Sequence, residues 1–166
     1  MTQNILIRSV TSHEIGQLRA LGEATFRETF KDQNTKENLE VYLAKSFALT
    51  TIQAQYDDTN TDFYFARIND EVLGYLKLNY TTNKVEIERI YVKQVAQGQK
   101  IGKALFEFSL EIARSRKAEW LWLGVWQENK NAVDFYAAKG LEIFDTRKFK
   151  LGDELQDDFL MRLRIS

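Results

Sequence analysis

The chain reads as an α/β protein of the α+β kind, a single domain with a mixed sheet and helices on its faces. Three observations carry this. Its 166 residues suit one domain of ordinary size. Apolar residues recur at helical spacing near the start and again from Ile101, whereas Asp62 to Val92 is dominated by β-rich runs. Strands and helices then alternate as β-α-α-β-β-β-α-β-α-β-β, an order that belongs to a sheet covered by helices.

Asn4 to Ser9 is a short strand. Thr11 or Ser12, with Glu14 two or three places on, caps a helix running to about Phe30, whose stripe is Leu18, Leu21 and Ala24 to Thr25. Lys36 to Phe47 is a second helix with Leu39, Tyr42, Leu43 and Phe47 on one side, and Thr50 to Tyr56 fits a shorter third. Asp62 to Ile68 and Val72 to Leu78 flank Asn69-Asp70-Glu71 as a hairpin, and Val85 to Val92 is a further strand. Lys100 to about Arg116 is strongly amphipathic, with Ile101, Leu105, Phe108 and Ile112 aligned. Trp120 to Val125 is a buried strand and Asn129 to Lys139 a helix. Leu141 to Lys148 and Asp157 to Arg164 close the sheet. With no Pro in the chain, every turn depends on Gly, Asn, Asp or Ser.

Composition narrows the chemistry. Hydrophobic residues make up 44% and charged residues 28%, the balance of a globular protein. No apolar run reaches the roughly 20 residues of a membrane span, and MTQNILIRSV lacks the apolar core of a signal peptide, so a cytoplasmic location is expected. The net charge of −1 gives no overall attraction to nucleic acid. There is no Cys and therefore no thiol nucleophile, and His13 is the sole His, which excludes a multi-histidine metal site. His13 itself reads as a surface residue of the cap region. Any proton transfer must rely on carboxylates, Tyr, Lys or water.

The segment from Ile90 to Leu105 holds the first chemical signal. A strand ends, a polar loop with Gly98 follows, and a helix opens with Gly102 in its first turn. The first amides of a helix lack intrahelical partners and lie at the positive end of its dipole, so such a loop can cradle a phosphate. Gly admits close approach, and Lys100 and Lys103 add charge. The P-loop and dinucleotide glycine patterns are both absent. In the second segment a strand, Leu121 to Val125, leads to Asn129 at a helix start. Ala132 and Tyr136 then share a helical face, and Gly140 ends the helix.

Together these segments resemble the GNAT superfamily of N-acetyltransferases. Gln97-Gly98-Gln99-Lys100-Ile101-Gly102 matches its Gln/Arg-x-x-Gly-x-Gly/Ala signature. Asn129, Ala132, Tyr136 and Gly140 match Asn-x-x-Ala-x-x-x-Tyr-x-x-x-Gly-Phe, with Leu141 for the final Phe. The departure is Lys100 at the family's first Gly. Gly98 could supply compensating freedom, or Lys100 could itself reach a phosphate. The resemblance covers nearly the whole chain. It implies a GNAT-type acyl-CoA N-acyltransferase fold, with a mixed, mostly antiparallel sheet and helices on both faces. It also implies acetyl-CoA as cosubstrate, with no metal. The pyrophosphate would lie on amides from Gln97, Gly98, Gln99, Lys100, Ile101, Gly102 and Lys103. The pantetheine would run along Ile90, Tyr91 and Val92, with Asn129 and Asn131 on the coenzyme side and Tyr136 facing the thioester sulfur.

Direct attack by an amine on a thioester sets a proton problem. An alkylamine with a pKa of about 10.4 is neutral in about one molecule in 2,500 at pH 7, a deficit of roughly 4.6 kcal/mol. Glu88, two residues before the cosubstrate edge, is the candidate general base, working through a water relay or a burial-raised pKa; Glu86 is the reserve. Tyr136 supplies a hydrogen bond to the departing thiolate. Phe26 to Asn34, Glu86 to Val92, Leu123 to Trp126 and Leu151 to Glu154 look closer to the PaiA branch of bacterial spermidine/spermine N-acetyltransferases. A small cationic amine such as a polyamine is therefore the expected partner, held by carboxylates from Glu28, Asp32, Asp153, Glu154, Asp157 and Asp158. Phe26, Phe30, Tyr42 and Phe149 could add cation–π contacts. Acetylation of a protein N-terminus, a lysine or an amino acid, and non-catalytic acyl-CoA binding, stay open as alternatives, and so does a homodimer. No nucleic-acid or membrane partner is expected.

Overall fold

A computed structural model describes residues 4–165. Seven strands form one sheet in the order β1-β2-β3-β4-β5-β7-β6. They are β1 (Ile5–Ser9), β2 (Thr61–Ile68), β3 (Glu71–Thr81), β4 (Lys84–Val92), β5 (Trp120–Trp126), β6 (Glu142–Leu151) and β7 (Glu154–Arg164). Five α-helices cover it: α1 (Ile15–Phe30), α2 (Lys36–Ser46), α3 (Leu49–Asp57), α4 (Ile101–Ser115) and α5 (Lys130–Ala138). All neighbouring strands are antiparallel except β4 and β5. The expected fold class is the one found.

Strand alternation divides the interior into two cores. Leu76, Leu78, Ile87, Leu121 and Leu123 point to one face and meet Leu105 and Phe106 of α4 and Tyr136 of α5. Phe63, Phe65 and Tyr75 point to the other and meet Leu18, Leu43, Phe47 and Ile52 of α1 to α3.

Four boundaries differ from the sequence reading. The first helix begins as a 3-10 turn, Ser12–Glu14, before α1 proper. Its box closes on Thr11, whose backbone N–H and hydroxyl both donate to the Glu14 carboxylate (2.9 and 3.0 Å). The third helix is a full element, Leu49–Asp57. Glu71 belongs to β3, because Asn69 at φ 55° turns the chain within two residues. The last hairpin is longer than expected: Gly152, at φ 61°, turns it, so β6 extends to Leu151 and β7 starts at Glu154.

The feature that positions the site lies in the middle of the sheet. β4 pairs with β5 only from Lys84 to Ile87, opposite Trp120 to Leu123. On its other edge β4 carries a bulge: Lys77 faces Arg89 and Leu78 faces Ile87, which leaves Glu88 without a partner in β3. A bulge bends and twists its strand. Beyond it β4 keeps to β3 as far as Val92, while β5 keeps to β7 as far as Trp126. The two parallel strands therefore diverge, and a gap opens through the sheet.

Candidate active site

A cavity of about 1120 Å³ fills that gap and reaches both faces of the sheet. On the α4 and α5 face it is lined by Ile90, Val92, Gln97, Gly98, Lys100, Ile101, Gly102, Lys103, Asn129 and Tyr136. On the α1 to α3 face it is lined by Glu86, Glu88, Arg89, Tyr91, the rings of Phe26, Phe30, Tyr42, Trp126 and Phe149, and Arg147, Gln156 and Asp158.

At the α4 end the loop leaves a row of donors open. The Gln97 and Gln99 amides are taken by Gln94 and Ala96 carbonyls (3.2 and 3.4 Å). The first helical bond runs from the Ala104 N–H to the Lys100 carbonyl. The amides of Gly98, Lys100, Ile101, Gly102 and Lys103 have no backbone partner among the described residues. Five of the seven expected donors are thus available at a helix N-terminus, the arrangement that suits a diphosphate. Gly98, at φ 91°, makes the turn. Lys100, the residue at the family's first Gly, adopts the left-handed conformation that Gly would take, at φ 66° and ψ 18°.

Asn129 caps α5 by accepting the Ala132 N–H on Oδ1 (3.3 Å), so its Nδ2 is the donor left for a ligand. Tyr136 packs against Phe106 and Phe135 at the cavity wall, and burial pushes its phenol up. Among the described residues no protein group hydrogen-bonds its hydroxyl.

The carboxylates on the opposite face are held differently from one another. Lys77 Nζ, on a residue only 4% exposed, donates to Glu88 Oε2 at 2.5 Å. Asn79 Nδ2 bridges Glu86 Oε1 (3.0 Å) and Glu88 Oε1 (2.9 Å). Burial pushes the Glu88 carboxyl up, but Lys77 and Arg89 together outweigh it and hold the group below the usual range. Glu86 ends above its usual range, because burial and the Glu88 charge exceed what Asn79, Arg147 and Lys77 return. The raised carboxyl is therefore Glu86, whereas the sequence reading looked for that property at Glu88. Asp158 is also pushed up by burial, against Arg147 at 3.6 Å.

Not every expected residue lines the cavity. Gln99 and Asn131 are exposed outside it. Glu28 instead accepts the Gln94 N–H (3.2 Å), tying α1 to the loop after β4. Asp32 is exposed beyond α1, and Asp153 and Glu154 lie at the last hairpin turn, where the Asp153 N–H meets Asn38. Of the surface acids considered, only Asp158 lines the cavity. Sequence reasoning missed Lys77, Asn79, Arg147 and Gln156. Lys77 did leave a signal, a charge within the apolar run Glu71–Thr81. Among the described residues no three acidic, His or Cys side chains stand together as a metal site, and no helix is long and apolar enough to cross a membrane.

A family model described as "Acetyltransferase (GNAT) family" matches residues 24–141. The chain is a GNAT acetyltransferase. It is 36% identical over 166 residues to an uncharacterized N-acetyltransferase of Lactobacillus delbrueckii subsp. lactis, covering 95% of this chain and 96% of the relative. It is 22% identical over 147 residues to the spermidine N(1)-acetyltransferase of Thermoplasma acidophilum, covering 86% and 91%. Its fold is that of the PaiA N-acetyltransferase of Thermoplasma acidophilum, solved in complex with coenzyme A (TM-score 0.81, 21% identity, 97% of this chain and 99% of that one). The ribosomal-protein-S18-alanine N-acetyltransferase of Escherichia coli is also similar (TM-score 0.78, 18% identity, 98% and 95%).

A GNAT acetyltransferase takes its acyl group from acetyl-CoA, and the residues present fit that cosubstrate. The five open amides suit its diphosphate. The edge of β4 that β5 abandons, Glu88 to Val92, offers backbone groups to an extended pantetheine.

Proposed function

We propose that this GNAT enzyme acetylates a primary amine of a small cationic acceptor, a polyamine such as spermidine or spermine. The observation that carries the reading is the acceptor face of the cavity. Glu86, Glu88 and Asp158 line it beside the rings of Phe26, Phe30, Tyr42, Trp126 and Phe149. Carboxylates attract an alkylammonium, and aromatic faces hold the methylenes and the charge together. The likeness to a spermidine acetyltransferase supports the same class.

The residues divide the work by their electrostatics. Glu88, kept ionised by Lys77 and Arg89, anchors the ammonium. Glu86, with its raised carboxyl, takes the proton through water, since a base is more effective as its pKa nears the working pH. The amine nitrogen bonds to the acyl carbon as the C–S bond breaks. Tyr136 donates a hydrogen bond to the sulfur as negative charge gathers there, because a phenol pushed up by burial does not give up its proton outright.

The test is release of free thiol from acetyl-CoA with spermidine, spermine, putrescine, monoalkylamines, free amino acids and N-terminal peptides. The polyamines are expected to give the highest kcat/KM. A peptide or amino acid turned over in preference to every polyamine overturns the proposed acceptor.

A further inference from the structure

Arg147 enters the acceptor end of the cavity from an unusual direction. It sits on β6, an edge strand, opposite Asp158 of β7, yet its guanidinium lies against β5 at Gly124. The side chain thus crosses β7 to reach the point where β5 leaves β4, one residue past the last pair, Ile87 and Leu123. A Cβ on Gly124 would stand 2.5 Å from the Arg147 Nη2. Gly124 has no positive φ, so its backbone could carry a side chain; what the glycine provides is the space for this guanidinium.

Arg147 is placed there without being locked. Its side chain is 42% exposed, and its carboxylate contact with Asp158 is 3.6 Å. The Asp158 side chain is only 10% exposed, so the pair is half-buried; what leaves the guanidinium able to swing away is its own open side and the long contact. The other cations beside these acids are held in place: Lys77 is bound to Glu88, and the largely buried Arg89 lies over the Phe47 ring, 3.7 Å from Glu88. Glu86 faces Lys77 and Asn79 of β3, Glu88 of β4 and Arg147 of β6; Asp158 faces Arg147, its neighbour Asp157 and the Tyr42 phenol of α2. Arg147 is the displaceable positive charge in that set.

We propose that Arg147 is an internal stand-in for the acceptor ammonium: its guanidinium neutralises Glu86 and Asp158 while the acceptor is absent and is displaced when a cationic acceptor enters. This makes Arg147 a specificity-determining residue. It sets a threshold that a weakly charged acceptor does not pass, and it rests on the cationic acceptor proposed above.

The test compares wild type with Arg147→Gln and Gly124→Ala, the second expelling the guanidinium while keeping its charge on the protein. Both variants are expected to lower KM for the preferred amine about fivefold, the factor that about 1 kcal/mol makes, with KM for acetyl-CoA unchanged. The double variant should gain nothing further. The titration of Glu86, followed by carboxyl-carbon NMR on ligand-free enzyme, should move to higher pH in both. That arm needs no acceptor, so it still decides the role of Arg147 if no amine is turned over and the proposed acceptor fails. A raised KM for the amine would mean that Arg147 binds an anionic part of the acceptor, and an unmoved Glu86 titration would mean that it stabilises structure alone; either result overturns the proposal.

Discussion

Lys100 holds a backbone conformation that costs an L-residue roughly 1–2 kcal/mol and a glycine almost nothing. Replacing it by Gly removes that strain but loosens the unfolded chain, which takes back roughly 0.5–1 kcal/mol. Lys100→Gly should therefore raise stability by about 0.5–1 kcal/mol, seen as a higher urea midpoint at unchanged slope. The same variant should bind CoA more weakly, since it removes an ammonium from the cavity wall beside the open amides. Glu86 and Glu88 differ in the same residue-by-residue way. Glu86→Gln should cut kcat by about 100-fold near neutral pH and move the rate optimum upward, where more amine is already neutral. Glu88→Gln should act mainly on KM for the amine. The opposite pattern in pH profiles of the two variants would return the base role to Glu88.

Among the elements, the join of β1 to α1 has the clearest electrostatic lock. Glu14 receives both Thr11 donors and a bidentate pair from Arg8 at 2.8 and 2.6 Å. Arg8 is the main reason its carboxyl falls from the ordinary 4.5 to about 2. A depressed carboxyl stabilises the fold above its unfolded pKa and loses that contribution as pH falls through the folded one. The contribution should fade between about pH 4.5 and pH 2, and Glu14→Gln should remove it, flattening the acid limb of a denaturation series. Equal acid sensitivity in both proteins would show that the lock is not coupled to folding. The capping acid was legible from Thr11 and Glu14. Its partner Arg8 was not, because it lies on the neighbouring strand and meets Glu14 only once the chain has turned.

At the scale of the molecule, the cavity separates two cores that share a sheet, so filling it should tie them together. Coenzyme A at about 100 times its Kd should stabilise the fold by about 2.7 kcal/mol, an increase in Tm of about 5–10 °C. A melting curve unmoved by millimolar coenzyme A would contradict the amide cradle of Gly98 to Lys103. Ile101, Leu105, the strand before them and the Asn129 cap could all be read locally, because periodicity and capping act within a few residues. Which acids line the cavity could not. Glu28 and Asp153 have the same side-chain chemistry as Glu86 and Asp158, but the folded chain places one pair at a loop tie and a hairpin turn and the other pair at the cavity wall.

The order of elements, the open helix N-terminus and the two family signatures were set by the sequence alone, since each depends on neighbours close along the chain. The tertiary structure decided the rest: the bulge at Glu88, the parting of β4 from β5, the charges of Lys77 and Arg89 that separate Glu88 from Glu86 although burial pushes both up, and the reach of Arg147 to Gly124. Each of these is a matter of long-range register and local dielectric, which arise only when strands distant in sequence lie side by side.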